Sequence, residues 1–251
     1  MVLILFNKEG GLKLFKEIIS KNKELNYWFY FQNALFLQHY RNKTSKMNFI
    51  DFKEKFFEIG CFSIQQIYAW QPGFDRNNLL RWSNRGRIIR LRQGFFAFSE
   101  YKQTPDFALY IANRIYRPSY ISLHYALSFY GMIPESVVQI TSVSSLKTML
   151  FENGFGEYSY KKIKSDLMFG YKPRTITDNR TIMMATPEKA LLDLLYLYTF
   201  YDNAEELEEL RLDEDFMLED FNYDRMEHFL NGFKSKALDK RVSKLLKVYG
   251  L

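Results

Sequence analysis

The sequence has little cysteine and little histidine, two residue types on which many catalytic and metal sites depend. Cys61 is the only cysteine among 251 residues, and the three histidines, His39, His124 and His228, lie far apart along the chain. A single thiol cannot close an intramolecular disulfide or supply a multi-cysteine zinc site. The cysteine content therefore excludes a disulfide-stapled secreted scaffold and is typical of a reducing compartment. We expect Cys61 to be a buried bystander thiol.

Long apolar runs are also scarce. Residues 1–6 are apolar, but a helix needs about 20 apolar residues to cross a bilayer. No basic segment precedes this stretch and no small-residue cleavage site follows it, so the pattern does not predict a signal peptide. The sequence therefore predicts a cytoplasmic protein that makes no membrane contact.

The composition is that of a globular protein with an aromatic core. Hydrophobic residues make up 47% of the chain and charged residues 25%, and phenylalanine and tyrosine are unusually frequent at 24 and 18 copies. The net charge of +6 modestly favours a polyanionic partner, although a surplus of this size also occurs in proteins that bind no nucleic acid. Whether the protein binds nucleic acid must therefore be judged from the distribution of the charge along the chain.

Residues 1–46 form an N-terminal extension whose residue pattern differs from that of the rest of the chain. Two interpretations remain open: a helical extension that packs on the body of the protein, or upstream sequence translated from a misassigned start, since a more conventional domain opens at Met47. The second interpretation is preferred.

Residues 47–100 carry the signals of three short helices. An aromatic stripe marks the first helix, which we expect to end at Gly60, and Ser63 is a good N-cap for the second. The third helix is predicted over 76–85, with Asp75 as its cap. Its inward-facing residues are predicted to be Leu79, Leu80 and Trp82.

A basic β-hairpin follows these helices. Two short apolar strands, 88–91 and 95–98, flank a turn that contains Gly94. The order of helices and hairpin predicts a helix-turn-helix followed by a β-wing, that is, a winged-helix DNA-binding domain.

Arginine is concentrated in the third helix and the wing. The segment 76–92 contains six arginines and no acid. The planar guanidinium can bridge phosphate oxygens or the edge of guanine, and asparagine or glutamine can pair with adenine. A solvated basic helix face is the simpler alternative. The predicted DNA-contacting residues are Arg76, Asn77, Asn78, Arg81, Arg85, Arg87, Arg90, Arg92 and Gln93.

The remaining chain predicts a mixed α/β domain at about 105–200 and a helical tail over 201–251. The Asn153-Gly154 pair is a strong hairpin signal, and Thr186-Pro187 marks a helix start. Together with the winged helix, this gives the α+β fold class. Helices are predicted at 106–115 and 122–130, and strands at 137–143, within 149–164, and at 181–185.

Three segments of the sequence resemble the AbiEi family of antitoxins from type IV toxin–antitoxin systems. The first runs from 80 to 97 and reads LRWSNRGRIIRLRQGFFA; its helix ends in glycine and its basic strand turns into an aromatic strand. The second runs from 120 to 135 and reads YISLHYALSFYGMIPE, and the third runs from 185 to 193 and reads ATPEKALLD. The three occur in the family's order and span about residues 50–200, whereas residues 1–46 have no counterpart.

The resemblance implies a repressor and antitoxin without enzymatic activity or cofactor. Proteins of this family bind inverted repeats upstream of their own operon. Their C-terminal domain neutralises a toxin that resembles nucleotidyltransferases, apparently without a stable toxin–antitoxin complex. For this chain the resemblance assigns double-stranded DNA to the third helix and wing, and the antitoxin role to the part after Pro105.

A metal-dependent nuclease with a winged-helix domain is the main alternative, because DNA binding combined with carboxylates is its minimum requirement. We expect Asp193, on an otherwise apolar helix, to pair instead with a basic partner in the core. A second alternative is that the basic and apolar C-terminal helix contacts DNA or a partner, although docking on its own domain is preferred. The residues considered for the nuclease are Glu157, Lys161, Asp166, Glu188, Lys189 and Asp193.

Overall fold

The computed structural model describes residues 47–251, and the interpretations of residues 1–46 lie outside them. The described chain is a mixed α+β protein, which confirms the predicted fold class at that level. An N-terminal unit, residues 47–98, precedes a C-terminal unit, residues 107–251. The N-terminal unit comprises α1 (Phe49–Phe56), β1 (Cys61–Ser63), α2 (Ile64–Trp70), α3 (Asn77–Asn84), β2 (Ile88–Arg92) and β3 (Phe95–Phe98).

One of the two predicted helix caps in the N-terminal unit is confirmed. Ser63 forms a reciprocal capping box with Gln66 at the start of α2, which confirms the predicted N-cap. The predicted cap of α3 is wrong, because α3 begins at Asn77 after Arg76, which makes no side-chain cap hydrogen bond. Asp75 instead lies in the preceding turn, where its Oδ1 accepts a hydrogen bond from the Asn77 backbone N–H at 2.9 Å. The prediction for the end of α1 is wrong, because the helix stops at Phe56 and Gly60 lies in the following turn with φ of 72°.

The hairpin of β2 and β3 is confirmed, and β1 completes an antiparallel sheet in the order β1–β3–β2. The sequence analysis missed β1 because a strand of three buried residues shows no alternation of polar and apolar positions. Its register depends on pairing with β3, which lies more than thirty positions further along the chain.

The core of this unit is aromatic, as the composition predicts. Phe52 is fully buried and its ring lies 4.8 Å from that of Phe56, 5.4 Å from Phe62 and 4.6 Å from Trp82. These inward-facing rings come from α1, β1 and α3, so the core fixes the orientation of α3 relative to the rest of the unit.

The predicted facing of α3 needs one correction. Leu79 is 2% exposed and Trp82 is buried, but Leu80 is 62% exposed. Successive residues on a helix are about 100° apart, so the face that buries Leu79 and Trp82 turns Leu80 to solvent.

The C-terminal unit has a six-stranded mixed sheet with helices packed against it, and its strands lie in the spatial order β6 (Met149–Asn153), β7 (Gly156–Lys162), β5 (Ile140–Ser144), β4 (Ser119–Ile121), β9 (Thr181–Ala185) and β8 (Tyr171–Thr175). The Asn153-Gly154 hairpin, the strand Thr181–Ala185 and the helix start at Thr186-Pro187 are confirmed. Its elements are α4 (Phe107–Ile115), β4 (Ser119–Ile121), α5 (Leu123–Tyr130), β5 (Ile140–Ser144), β6 (Met149–Asn153), β7 (Gly156–Lys162), β8 (Tyr171–Thr175), β9 (Thr181–Ala185), α6 (Pro187–Leu197), α7 (Ala204–Glu208), α8 (Glu214–Glu219), α9 (Tyr223–Phe233) and α10 (Lys236–Val248).

Two strands of this sheet were not predicted. The strand β4 has only three residues, and β8 is exposed along its whole length and contains Pro173. An exposed edge strand with proline shows neither alternation nor an apolar run. The strand β5 begins at Ile140, three positions later than predicted.

The expectation that Asp193 pairs with a basic partner in the core is confirmed. Lys189 Nζ and the Asp193 carboxylate form an ion pair one turn apart on α6, and both side chains are 0% exposed. Asp193 Oδ2 also accepts hydrogen bonds from Tyr120 Oη at 2.9 Å and Ser122 Oγ at 2.8 Å. The pair therefore ties α6 to β4 and to the start of α5.

The two units are held together by direct contacts. Arg180 Nη1 donates to the backbone oxygen of Glu58 at 3.2 Å, and Arg180 Nη2 donates to Tyr101 Oη at 2.9 Å. On the other side, Asn153 Nδ2 donates to the backbone oxygen of Leu91 at 3.2 Å. The tip of the β6–β7 hairpin thus contacts the β2–β3 hairpin.

The C-terminal helix packs on its own unit, as preferred from the sequence. Leu238, Val242 and Leu245 are buried, and α10 contacts α6 and α7. Between residues 47 and 251, none of the helices is apolar over a stretch long enough to cross a membrane.

Candidate nucleic-acid interface

The outer surface of α3 presents basic and polar side chains to solvent. Because Leu79 and Trp82 hold the inner face in the core, the residues between them point outward. Arg81 Nη2 lies 3.5 Å from Asp75 Oδ2, an exposed ion pair of the kind that stabilises little and can exchange partners. We call the exposed set the basic face. Its residues are Arg76, Asn77, Leu80, Arg81, Arg85, Arg87, Arg90 and Gln93.

Asn78, a predicted DNA contact, is 6% exposed and does not belong to the basic face. Its Oδ1 accepts a hydrogen bond from Arg81 Nη2. Asn78 follows Asn77 by one position, and this rotation of about 100° carries it from the outer face to the core side of α3. Its position allows it to orient Arg81 and not to read a base.

The end of α3 brings three arginines around a shallow depression of about 320 Å³. Gly86, with φ of 67°, makes the turn that separates Arg85 from Arg87. The Arg87 guanidinium lies 4.7 Å from the centre of the Phe49 ring, which anchors the side chain by a cation–π contact. The depression is lined by Met47, Asn48, Phe49, Asn78, Arg81, Trp82, Arg85 and Arg87.

Of the residues predicted to contact DNA from the β2–β3 hairpin, two are exposed and one is turned away from the basic face. Arg90 on β2 and Gln93 at the turn are exposed. The Arg92 guanidinium instead lies 4.9 Å from the ring centre of Phe95 and 5.6 Å from that of Phe151, and its Nε is buried without a hydrogen-bond partner among the described residues. Arg92 therefore faces the C-terminal unit.

A bulge explains the position of Arg92. The pairing of β2 with β3 shifts register between Arg90 and Arg92, although strict alternation would have put both side chains on one face. The sequence alone gives no sign of this irregularity.

The residues considered for a nuclease do not meet at one site. Lys189 and Asp193 are sealed in the core, and the buried Glu188 carboxylate accepts from Arg225 Nη1 at 3.3 Å. Glu157, on β7, accepts a hydrogen bond from Gln139 at 2.9 Å. Between residues 47 and 251, histidine, cysteine and acidic side chains form no group of three that could hold a metal ion.

The cysteine and one of the histidines are also buried or partly buried away from the basic face. Cys61 is buried, as expected, and this burial raises the pKa of its thiol to about 12, so the thiol stays protonated at neutral pH. His124 lies on α5, and its Nε2 is 3.3 Å from Tyr201 Oη. Burial lowers the pKa of His124 below its usual value.

The sequence analysis missed one member of the basic face and one separate basic cluster. Leu80 was assigned to the core, although its helical position relative to Leu79 places it outside. The guanidinium groups of Arg114, Arg117 and Arg180 line one cleft. These positions are spread over more than sixty residues, so no local charge run marks them.

Comparison with models of known protein families gives no match, and comparison with curated protein sequences gives none either.

Proposed function

We propose that this protein is a transcriptional repressor whose N-terminal unit is a winged helix that binds double-stranded DNA. The observation that carries the proposal is the basic face. It gathers five exposed arginines on one helix and its adjoining hairpin, in a segment, 76–92, that contains no acid. Such a concentration of guanidinium groups favours phosphate binding and counterion release.

The helix α3 is the element suited to the major groove. Its first turn presents Arg76 and Asn77, which have the chemistry to read guanine and adenine edges. Leu80 lies one turn further along the same exposed surface, where an apolar side chain can contact a thymine methyl group. The exposed side chain of Leu80 does not stabilise the core, and a contact with a base would give it a function.

The wing and the end of α3 are suited to the DNA backbone. Arg87 is anchored on Phe49, and Arg90 projects from β2, so both can grip phosphates beside the groove. Contacts of this kind add affinity and fix orientation, while the sequence is read by α3.

For the C-terminal unit we propose the antitoxin role that its resemblance to the AbiEi family implies. Two of the segments that carry the resemblance, 120–135 and 185–193, meet where Asp193 accepts hydrogen bonds from Tyr120 and Ser122. These segments build the core of the unit and so support its fold. The proposed partner is a nucleotidyltransferase-like toxin, neutralised without a stable complex, and the proposed DNA is the protein's own promoter with inverted repeats.

A mobility-shift assay tests the repressor proposal. The full chain should bind a duplex of its own promoter more tightly than a shuffled duplex of equal length and composition. Arg81→Ala with Arg90→Ala should weaken binding to the promoter, whereas Arg211→Ala, in an exposed ion pair with Glu135 on the C-terminal unit, should not. Equal binding to both duplexes would overturn the proposal.

Co-expression tests the antitoxin proposal separately. A neighbouring reading frame for a nucleotidyltransferase-like protein should inhibit growth when expressed alone, and the present chain should restore growth. The Arg81→Ala, Arg90→Ala variant, supplied from an independent promoter, should still restore growth. Failure of the wild-type chain to protect would contradict the antitoxin role without affecting the DNA-binding result.

A further inference from the structure

A cleft of about 800 Å³ lies between the two units, and none of its lining residues belongs to the basic face. Its walls come from the turn after α1, from the connection between the units, from α4 and its end, and from the β8–β9 turn. A volume of this size is typical of sites for small organic ligands. The lining residues are Phe57, Glu58, Tyr101, Tyr110, Arg114, Arg117, Asp178, Asn179, Arg180 and Thr181.

Three arginines give the cleft its chemistry. Arg114 and Arg180 each have a buried Nε without a hydrogen-bond partner among residues 47–251. The Nε of Arg117 donates to the Asn113 backbone oxygen at 3.0 Å, and the residue is otherwise exposed. Because these two Nε atoms are buried, an anion in the cleft would be held by the parts of the guanidinium groups that line it, whose planar fork matches phosphate oxygens.

The fixed contacts of these arginines hold them in place without neutralising them. Arg114 Nη2 donates to Tyr110 Oη at 2.6 Å, and Arg180 donates to the Glu58 backbone oxygen and to Tyr101 Oη. These acceptors are neutral. Their geometry keeps the guanidinium groups at the cleft whether or not an anion is present.

The two acids of the cleft do not cancel the three arginines. Within the part of the chain that the structure describes, neither Glu58 nor Asp178 forms an ion pair with them. Partial burial is the larger cause of the lowered pKa of Arg117, and the neighbouring positive charge of Arg114 lowers it further, so the two guanidinium groups repel each other. An anion between them would relieve that repulsion.

We propose that this cleft binds a phosphate-bearing small molecule, with Arg114 and Arg117 as its principal ligands. The cleft is larger than inorganic phosphate requires, so a diphosphate or nucleotide is the expected class. Because the cleft draws on both units, the bound anion would contact the turn after α1 and the β8–β9 turn at once. Arg180 contributes as a positioning residue, since it is already engaged in joining these two turns.

Calorimetric titration of the full chain with pyrophosphate and with ATP tests this proposal. Saturable binding is expected for at least one of them at millimolar concentration or below. Arg117→Gln and Arg114→Gln should each weaken it about tenfold or more, which corresponds to the loss of a charged hydrogen bond. Arg117→Lys should lose less. Arg211→Gln is the matched control for removal of an exposed arginine elsewhere and should leave the affinity unchanged.

The basic face is itself cationic, so the test must separate the two surfaces. Arg81→Ala with Arg90→Ala should leave pyrophosphate and ATP affinity unchanged while reducing DNA affinity. Thr181→Asp, at an exposed position in the cleft, provides a second route by adding a repelling charge, and it should also weaken anion binding if an arginine variant fails to fold.

Three results would overturn the proposal. One is the absence of saturable binding of either anion to the wild-type chain. Another is binding that survives Arg117→Gln and Thr181→Asp in folded protein. The third is that a short DNA duplex binds in a way that depends on Arg117 while neither pyrophosphate nor ATP binds. The cleft would then be an extension of a nucleic-acid surface.

Discussion

Asn78 and Arg81 lie one turn apart on α3, and the Oδ1 of Asn78 accepts a hydrogen bond from the Nη2 of Arg81. Asn78 is buried and Arg81 is exposed, so the bond connects the core of the N-terminal unit to its basic face. The orientation of Arg81, a proposed DNA contact, therefore depends on a buried neighbour.

This relationship predicts a graded effect on DNA binding. Asn78→Ala should lower promoter affinity by less than Arg81→Ala does, because the charge of Arg81 remains while its orientation is lost. The unfolding free energy should fall by about 1 kcal/mol for the lost hydrogen bond. Fluorescence anisotropy and urea denaturation measure the two quantities. An Asn78→Ala variant that binds as poorly as Arg81→Ala at unchanged stability would point to a direct contact by Asn78.

The neighbours Leu79 and Leu80 should behave in opposite ways. Leu79→Ala removes buried side-chain volume and should cost about 2–5 kcal/mol of unfolding free energy. Leu80→Ala should change stability by less than about 0.5 kcal/mol, because the side chain is exposed, and should reduce preference for the promoter. Denaturation midpoints and competition with shuffled duplex check the pair. Equal stability losses would place Leu80 in the core after all.

The buried ion pair on α6 should be sensitive to removal of either partner. Asp193→Ala leaves Lys189 as an uncompensated buried charge and also frees the hydroxyls of Tyr120 and Ser122, so a loss of about 3–5 kcal/mol is expected. Adding Lys189→Met should recover part of that loss, because it removes the orphaned charge. Urea denaturation of Asp193→Ala, Lys189→Met and the double variant is the measurement. A double variant that loses the sum of the two single effects would show that the two residues do not interact.

His124 should make the protein less stable in acid. Burial lowers its folded pKa below the ordinary value of 6.5, so the unfolded chain takes up the proton first. The stabilising contribution of neutral His124 is present above about pH 6.5 and is lost as the pH falls toward the folded pKa. His124→Gln should flatten the dependence of stability on pH in this range. If the unfolding free energy of His124→Gln depended on pH as steeply as that of the wild-type chain between about pH 7.5 and about pH 5, His124 would not be the titrating group.

The sequence predicted elements whose signals are local and missed features that depend on distant partners. The Asn153-Gly154 turn, the Thr186-Pro187 helix start and the Ser63 cap each act over a few residues, so the pattern is sufficient. The bulge that redirects Arg92 and the three-residue β1 arise from pairing with β3, which no local pattern records.

The same distinction applies to the sites. The arginines of the basic face were found because they lie within fifteen positions of one another along the chain, from 76 to 90, in and around one helix and one hairpin. Arg114, Arg117 and Arg180 were not, since only the packing of the two units brings them together. The wrong orientation of Leu80 has a different cause. The rotation of about 100° per helical residue already excludes Leu80 from the face that buries both Leu79 and Trp82.

The contacts between the two units also affect which experiments can test the role of each unit. Arg180 joins the β8–β9 turn to the turn after α1, and Asn153 contacts the β2–β3 hairpin. Separating the units would expose these contacts, so point variants of the full chain are the better test. Leu192→Asp, on the fully buried face of α6, should abolish protection against the toxin by unfolding the C-terminal unit.

The salt dependence of promoter binding tests the central claim most directly. The dissociation constant of the wild-type chain should rise steeply with salt, and the logarithmic slope should decrease by about two for Arg81→Ala with Arg90→Ala, since each arginine that contacts a phosphate releases about one counterion. Arg211→Ala should leave the slope unchanged. A wild-type chain that shows no preference for its promoter over shuffled duplex, or a slope that the double variant does not alter, would contradict DNA recognition by the basic face.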